Sequence, residues 1–171
     1  MAASATSAAA RAVLEACRRE GLTLVTAESC TGGLVAAAIT DLAGASDVFD
    51  RSFITYSNAA KSEMLGVPGG LIHDHGAVSA EVAGAMALGA LKASRAGVAV
   101  AITGVAGPGG GSAAKPVGLV HFAVAVCDGR VNRIERRFGA LSRSTIRRKA
   151  VRTALALITE TLAGDTGIAM A

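Results

Sequence analysis

Thr26-Ala27-Glu28-Ser29-Cys30-Thr31-Gly32-Gly33 decides how the rest of the chain folds. Ahead of it, Leu22-Thr23-Leu24-Val25 is apolar and β-branched and reads as a buried strand. Behind it, in Leu34 to Leu42, the run of Ala, Val, Leu and Ile favours a helix. A strand that turns at once into a helix places its turn at the carboxyl edge of a sheet, where open α/β folds hold ligands. Glycines there let the backbone approach a ligand, and the free N–H groups of a first helical turn favour negative charge. Ser29 and Cys30 are the two nucleophile candidates inside the turn.

Outward from this corner, Ala8 to Glu20 is expected as a first helix with Gly21 as its stop. Phe53 to Tyr56 reads as a second strand, and Ser57 caps a short helix from Asn58 to Leu65. Gly69 to Gly76 reads as a polar connector. Ser79 caps an Ala/Gly-rich helix, Ala80 to Ala93, which must pack closely within the protomer or across a subunit interface. Val98 to Ile102 is a central strand, and Thr103 to Pro116 a glycine loop. Val117–Val126 and Arg130–Phe138 flank Asp128-Gly129 as a hairpin, and Thr145–Leu162 is the last helix. This order implies a three-layer α/β/α sandwich with a mixed sheet, one domain over 1–171 with its core at about 8–163.

With 171 residues the chain can close a core without disulfide or metal support. Half of it is hydrophobic but only 3% aromatic, so the core is aliphatic. No apolar run approaches the roughly 18 residues of a membrane span, and Met1 to Ala10 has no secretory pattern. Ala2 to Arg11 is faintly like a transit peptide, but Glu15 and Glu20 fit an ordinary amphipathic helix. Cys17, Cys30 and Cys127, odd in number and widely spaced, suit reduced thiols in a cytoplasm. The net charge of +4 is lopsided, with arginines crowded between Arg130 and Arg152. They read either as a solvated face or as donors to a phosphate-bearing substrate. Nucleic acid is not expected, since no aromatics are interleaved for stacking.

Two further features bear on chemistry. Tyr56 ends a strand, and Lys61 lies in the first turn of the next helix, where the dipole and burial both favour a neutral amine. Such an amine can act as base toward a serine, with the tyrosine as relay or orienter. The plainer alternative is a core-capping tyrosine and a solvated lysine. Thr103-Gly104-Val105-Ala106-Gly107 begins a loop that suits a phosphate or an oxyanion, but equally a flexible surface loop; it matches neither Walker nor dinucleotide patterns. His73-Asp74-His75 lacks further ligands and reads as surface, and His121 has no evident partner.

Taken together, Thr26 to Gly33, Tyr56-Ser57-Asn58 with Lys61, His75 to Ser79, Thr103 to Ser112 and Lys115-Pro116-Val117-Gly118 occur in an order that closely resembles the CinA C-terminal domain family. The resemblance covers about Cys17 to Leu162; many relatives carry an extra N-terminal domain, for which this chain has no room. It implies hydrolysis of the carboxamide of nicotinamide mononucleotide to nicotinate mononucleotide and ammonia, without cofactor or metal. It also implies Ser29 as nucleophile, Lys61 as general base and Tyr56 as relay or orienter. Cys30, Thr31, Gly32, Gly33, Thr103, Gly104 and Gly107 would border the substrate, with Thr31 or Gly32 N–H groups facing the oxyanion. Arg143, with Arg147 as a second contact, would take the 5′-phosphate, although Leu141-Ser142-Arg143 departs from the family's usual Gly-Asp-Arg turn. Family habit further implies a homodimer or higher homo-oligomer. A Cys30-dependent amidase and a non-catalytic binding module are the competing readings.

Overall fold

The alternation in Val98-Ala99-Val100-Ala101-Ile102 sets the spacing of the whole molecule, because it gives the central strand one bulky and one small face. In the computed structural model, which describes residues 4–164, the elements run as follows. They are α1 (Ala5–Glu20), β1 (Leu24–Glu28), α2 (Leu34–Thr40), a 3-10 turn (Ala45–Asp47), β2 (Phe49–Ile54), α3 (Asn58–Leu65), α4 (Gly69–His75), α5 (Ala80–Lys92), β3 (Val98–Gly104), β4 (Leu119–Val126), β5 (Val131–Arg137) and α6 (Arg143–Leu162). The sheet order is β2-β1-β3-β4-β5. β1 runs parallel to β2 and β3, and β4 antiparallel to β3 and β5, so the sheet is mixed as expected.

On the bulky face, Leu24, Val98, Val100, Ile102, Phe122 and Val124 pack under α1, α2 and α6. On the small face, Ala99, Ala101, Ala123 and Ala125 meet Ala83, Met86, Ala87 and Ala90 of α5, with Leu65 of α3 and Ile72 of α4 beside them. Alanine on alanine lets α5 approach closely, and a methyl group at Gly89 would collide with the Leu65 carbonyl. The Ala/Gly-rich surface of α5 is thus buried within the protomer.

Several boundaries differ from the sequence reading. β1 starts at Leu24 and continues through Glu28, which leaves only Ser29 to Gly33 as the turn. β2 begins at Phe49 rather than Phe53: it is an edge strand whose polar Asp50-Arg51-Ser52 hides its pattern, and Tyr56 follows it instead of ending it. Gly69–His75, expected as a connector, is helical. Pro68 enters it with φ −61, and burial of Ile72 outweighs the poor helix propensity of Gly69-Gly70. Ser142 caps α6 by accepting from the Thr145 N–H, so Arg143 opens that helix. Residues 1–3 and 165–171 of the expected domain lie outside the described residues. Among the described residues no helix is long and apolar enough to cross a membrane.

Candidate active site

The corner after β1 is anchored by the Ser29 N–H, which donates to the Ile102 carbonyl of β3 at 3.0 Å. The Gly32 N–H closes the turn on the Ser29 carbonyl at 3.1 Å. Gly32 (φ 59) and Gly33 (φ 95) adopt the left-handed backbone the turn requires, which explains the glycine pair. Glu28, 0% exposed, then folds back under α2. Its carboxylate accepts from the N–H groups of Gly33 (3.0 Å), Val35 (3.1 Å) and Ala36 (2.9 Å). The helix start that the sequence offers to a ligand anion is therefore occupied by the chain's own carboxylate. Sequence reasoning passed over Glu28; the available signal is an acidic residue closing a wholly buried strand. Glu28→Ala leaves three donors unmatched, one buried and two partly buried. It is expected to cost about 3 kcal/mol or more and to lower the melting temperature by roughly 6–12 °C in thermal unfolding.

Lys61 arrives from the other side of the cleft. Ser57 caps α3 through the Ala60 N–H at 3.0 Å, which sets Lys61 on the inward face of the first turn. Its Nζ lies 3.1 Å from Ser29 Oγ and donates to the Thr55 carbonyl at 2.9 Å. The side chain is 1% exposed, with no carboxylate in contact among the described residues. Burial pulls its pKa below the ordinary lysine value, so the neutral amine becomes more accessible. Cys30 shows the opposite trend for a nucleophile: burial pushes its thiol up to about 12, so it stays protonated at neutral pH. The basic amine is hydrogen-bonded to the hydroxyl, and the neighbouring thiol is inert.

A cavity of about 270 Å³ opens over this pair, lined by Ser29, Cys30, Tyr56, Lys61, Thr103, Gly104, Gly107 and Arg143. It is close to the lower end of small-molecule clefts, roughly 300 Å³. Thr103 Oγ donates to the Ala77 carbonyl at 2.7 Å, which pins the glycine loop's strand to the start of α5. Tyr56 is 61% exposed at the rim, where its hydroxyl accepts from Arg143 Nη2 at 2.8 Å. Arg143 Nη1 donates to the Gly107 carbonyl at 2.8 Å, so one guanidinium links rim and loop. Asn58, Ala77 and Val78 also line the cavity; they stand inside motifs already singled out but carried no chemical signal of their own.

Thr31, Gly32, Gly33 and Arg147 do not line it. Arg147 turns to the corner's backbone, its Nε donating to the Cys30 carbonyl (3.1 Å) and its Nη2 to the Thr31 carbonyl (2.8 Å). Of the two N–H groups assigned to the oxyanion, that of Gly32 is engaged, whereas that of Thr31 has no acceptor among the described residues. The other arginines do not converge on the cleft: Arg130, for example, binds Asp128 and the Thr161 carbonyl. His73 pairs with Asp74 at the surface. No group of three or more His, Cys, Asp or Glu able to hold a metal occurs among the described residues. His121, read as partnerless, lies 3.7 Å from Glu135, and burial lowers its pKa.

Fold and site together define a three-layer α/β/α domain with a buried serine–lysine pair at the carboxyl edge of its sheet. The chain belongs to the CinA C-terminal domain family, whose model matches residues 6–162. It is 53% identical over 135 residues to nicotinamide-nucleotide amidohydrolase PncC of Enterobacter agglomerans, covering 79% of this chain and 82% of that protein. It is 52% identical over 142 residues to PncC of Escherichia coli K12, covering 82% and 85%. The crystal structure of the competence/damage-inducible protein CihA from Agrobacterium tumefaciens superposes with a TM-score of 0.91 at 49% identity, covering 95% and 98%.

Proposed function

We propose that this chain is a nicotinamide-nucleotide amidohydrolase that converts nicotinamide mononucleotide and water to nicotinate mononucleotide and ammonia. The observation that carries the reading is the 3.1 Å contact between Ser29 Oγ and a buried, carboxylate-free Lys61 Nζ inside a small cleft. Neutral Lys61 takes the hydroxyl proton as Ser29 attacks the carboxamide carbon. An oxyanion forms on the carboxamide oxygen as the bond from Ser29 Oγ is made. Protonated Lys61 returns its proton to the leaving nitrogen, ammonia departs, and a Ser29 ester remains. Water, deprotonated by the same amine, then attacks the ester carbonyl; the C–O bond to Ser29 breaks, Lys61 returns the proton to the Ser29 oxygen, and nicotinate mononucleotide is released.

Tyr56 serves this scheme as an orienter of Arg143, since its hydroxyl is hydrogen-bonded there and no bond from it reaches Ser29 or Lys61. Arg143 opens the helix α6 at the rim and offers charged donors to a 5′-phosphate. The test is mass spectrometry of nicotinamide mononucleotide incubated with purified protein, with Arg143→Ala in parallel. Conversion to the acid is expected. The variant should raise KM by roughly tenfold or more, as loss of a charge-assisted bond predicts, and should treat the phosphate-free riboside as wild type does. Binding without turnover would overturn the amidase reading in favour of a non-catalytic nucleotide-binding module.

A further inference from the structure

Arg143 and Arg147 lie four residues apart on one face of α6, yet they point to different things. Arg143 reaches the rim of the cavity. Arg147, one turn further along, lays its guanidinium over Gly32, where an added Cβ would stand 3.4 Å from Nη2. Its Nε and Nη2 form a fork on two successive carbonyls, those of Cys30 and Thr31. Both carbonyls belong to the turn that Gly32 closes on Ser29.

That fork has a geometric consequence. A trans peptide sets its N–H opposite its carbonyl. Drawing the Thr31 carbonyl to Arg147 sends the Gly32 N–H away, and it meets the Ser29 carbonyl at 3.1 Å. Drawing the Cys30 carbonyl to Arg147 likewise turns the Thr31 N–H away from the guanidinium, and this donor is left without an acceptor among the described residues. The opposite side of the same corner is held by Glu28, through the N–H groups of Gly33, Val35 and Ala36. The nucleophile's turn is thus gripped at its carbonyls by a cation and at its following amides by an anion.

We propose that Arg147 is a positioning residue that fixes the Ser29 turn and so holds the Ser29 hydroxyl against the Lys61 amine. It acts through the backbone and does not touch the substrate. This inference rests on the amidase reading above. A lysine cannot reproduce it in full, because one ammonium lacks the planar fork that bridges two carbonyls.

The experiment compares full-length wild type, Arg147→Lys and Arg147→Ala. The readouts are ammonia release from nicotinamide mononucleotide across pH, calorimetric binding of nicotinate mononucleotide, and thermal unfolding. Arg147→Ala is expected to lower kcat on the order of 10²-fold, the effect of shifting a nucleophile by about 1 Å, with KM and product affinity within about threefold. The lysine variant should fall between, and the pH at which activity rises should not move in either. Millimolar guanidinium should restore part of the alanine variant's kcat. A raised KM or weakened product binding with kcat retained overturns the proposal by making Arg147 a substrate ligand. A loss of rate that merely tracks the folded fraction, or failure of both variants to fold, overturns it by making the residue a structural tie. Wild-type protein that releases no ammonia sinks the amidase reading, and this role with it, before any variant is compared.

Discussion

Replacing Ser29 with alanine is expected to lower ammonia release from nicotinamide mononucleotide by about 10⁴-fold or more, because no second nucleophile stands ready to replace it. Cys30, the adjacent residue, should by contrast tolerate alanine with activity within about tenfold of wild type, as an inert buried thiol does. The difference follows from the two environments. Ser29 Oγ sits 3.1 Å from an amine that can accept its proton. Burial pushes the Cys30 thiol well above the ordinary cysteine value, so it stays protonated at neutral pH. Steady-state assays of both variants, with trapping of a Ser29 ester after acid quench, decide the matter. A dead Cys30→Ala protein beside an active Ser29→Ala protein would reverse the assignment.

Lys61 gives the second large effect. Lys61→Met and Lys61→Arg should both lose about 10³-fold or more in kcat, since neither offers a neutral amine near pH 7. The arginine variant should stay inactive at high pH, where wild type is at its best. In wild type, activity is expected to rise with pH as Lys61 loses its proton, with a midpoint below the ordinary lysine value because burial depresses it. Stability carries the same signature. Unfolded lysine keeps its proton to about pH 10.4, whereas the folded side chain releases it earlier. Between those two values the unfolded state binds more protons, so wild-type stability rises with pH. Denaturant unfolding at several pH values should show this rise in wild type and not in Lys61→Met. A pH-independent difference between the two would mean that the folded lysine titrates like a free one.

Much of this site could be read before the structure. Ser57 and Ser79 cap the helices they precede, because capping is a local property of a hydroxyl and the amides two or three residues on. The central strand was legible because five consecutive apolar residues leave few alternatives. The pairing of Ser29 with Lys61, 32 residues apart, was accessible only through the family's motifs, since spacing alone gives no hint of a contact across the sheet edge. Three features escaped. The helix at Gly69–His75 is stabilised by Ile72 burying against the core, a tertiary gain that two glycines conceal. Glu28 reads as a polar turn residue until β1 is seen to continue through it into the interior. Arg147 was read as a phosphate ligand because cations near a nucleotide site suggest phosphate, but its partners are main-chain oxygens, which no side-chain pattern records.

The Glu28 carboxylate has one more consequence. By neutralising the positive end of α2 from within, it removes the built-in anion cradle that a strand-to-helix corner ordinarily presents. On the proposed reading, grip on a charged tail then falls to a side chain on the perimeter such as Arg143, while the serine–lysine pair lies in the interior between β1 and α3. The proposed tail contact and the serine–lysine pair thus stand on different elements, α6 on one side and the β1 corner with α3 on the other.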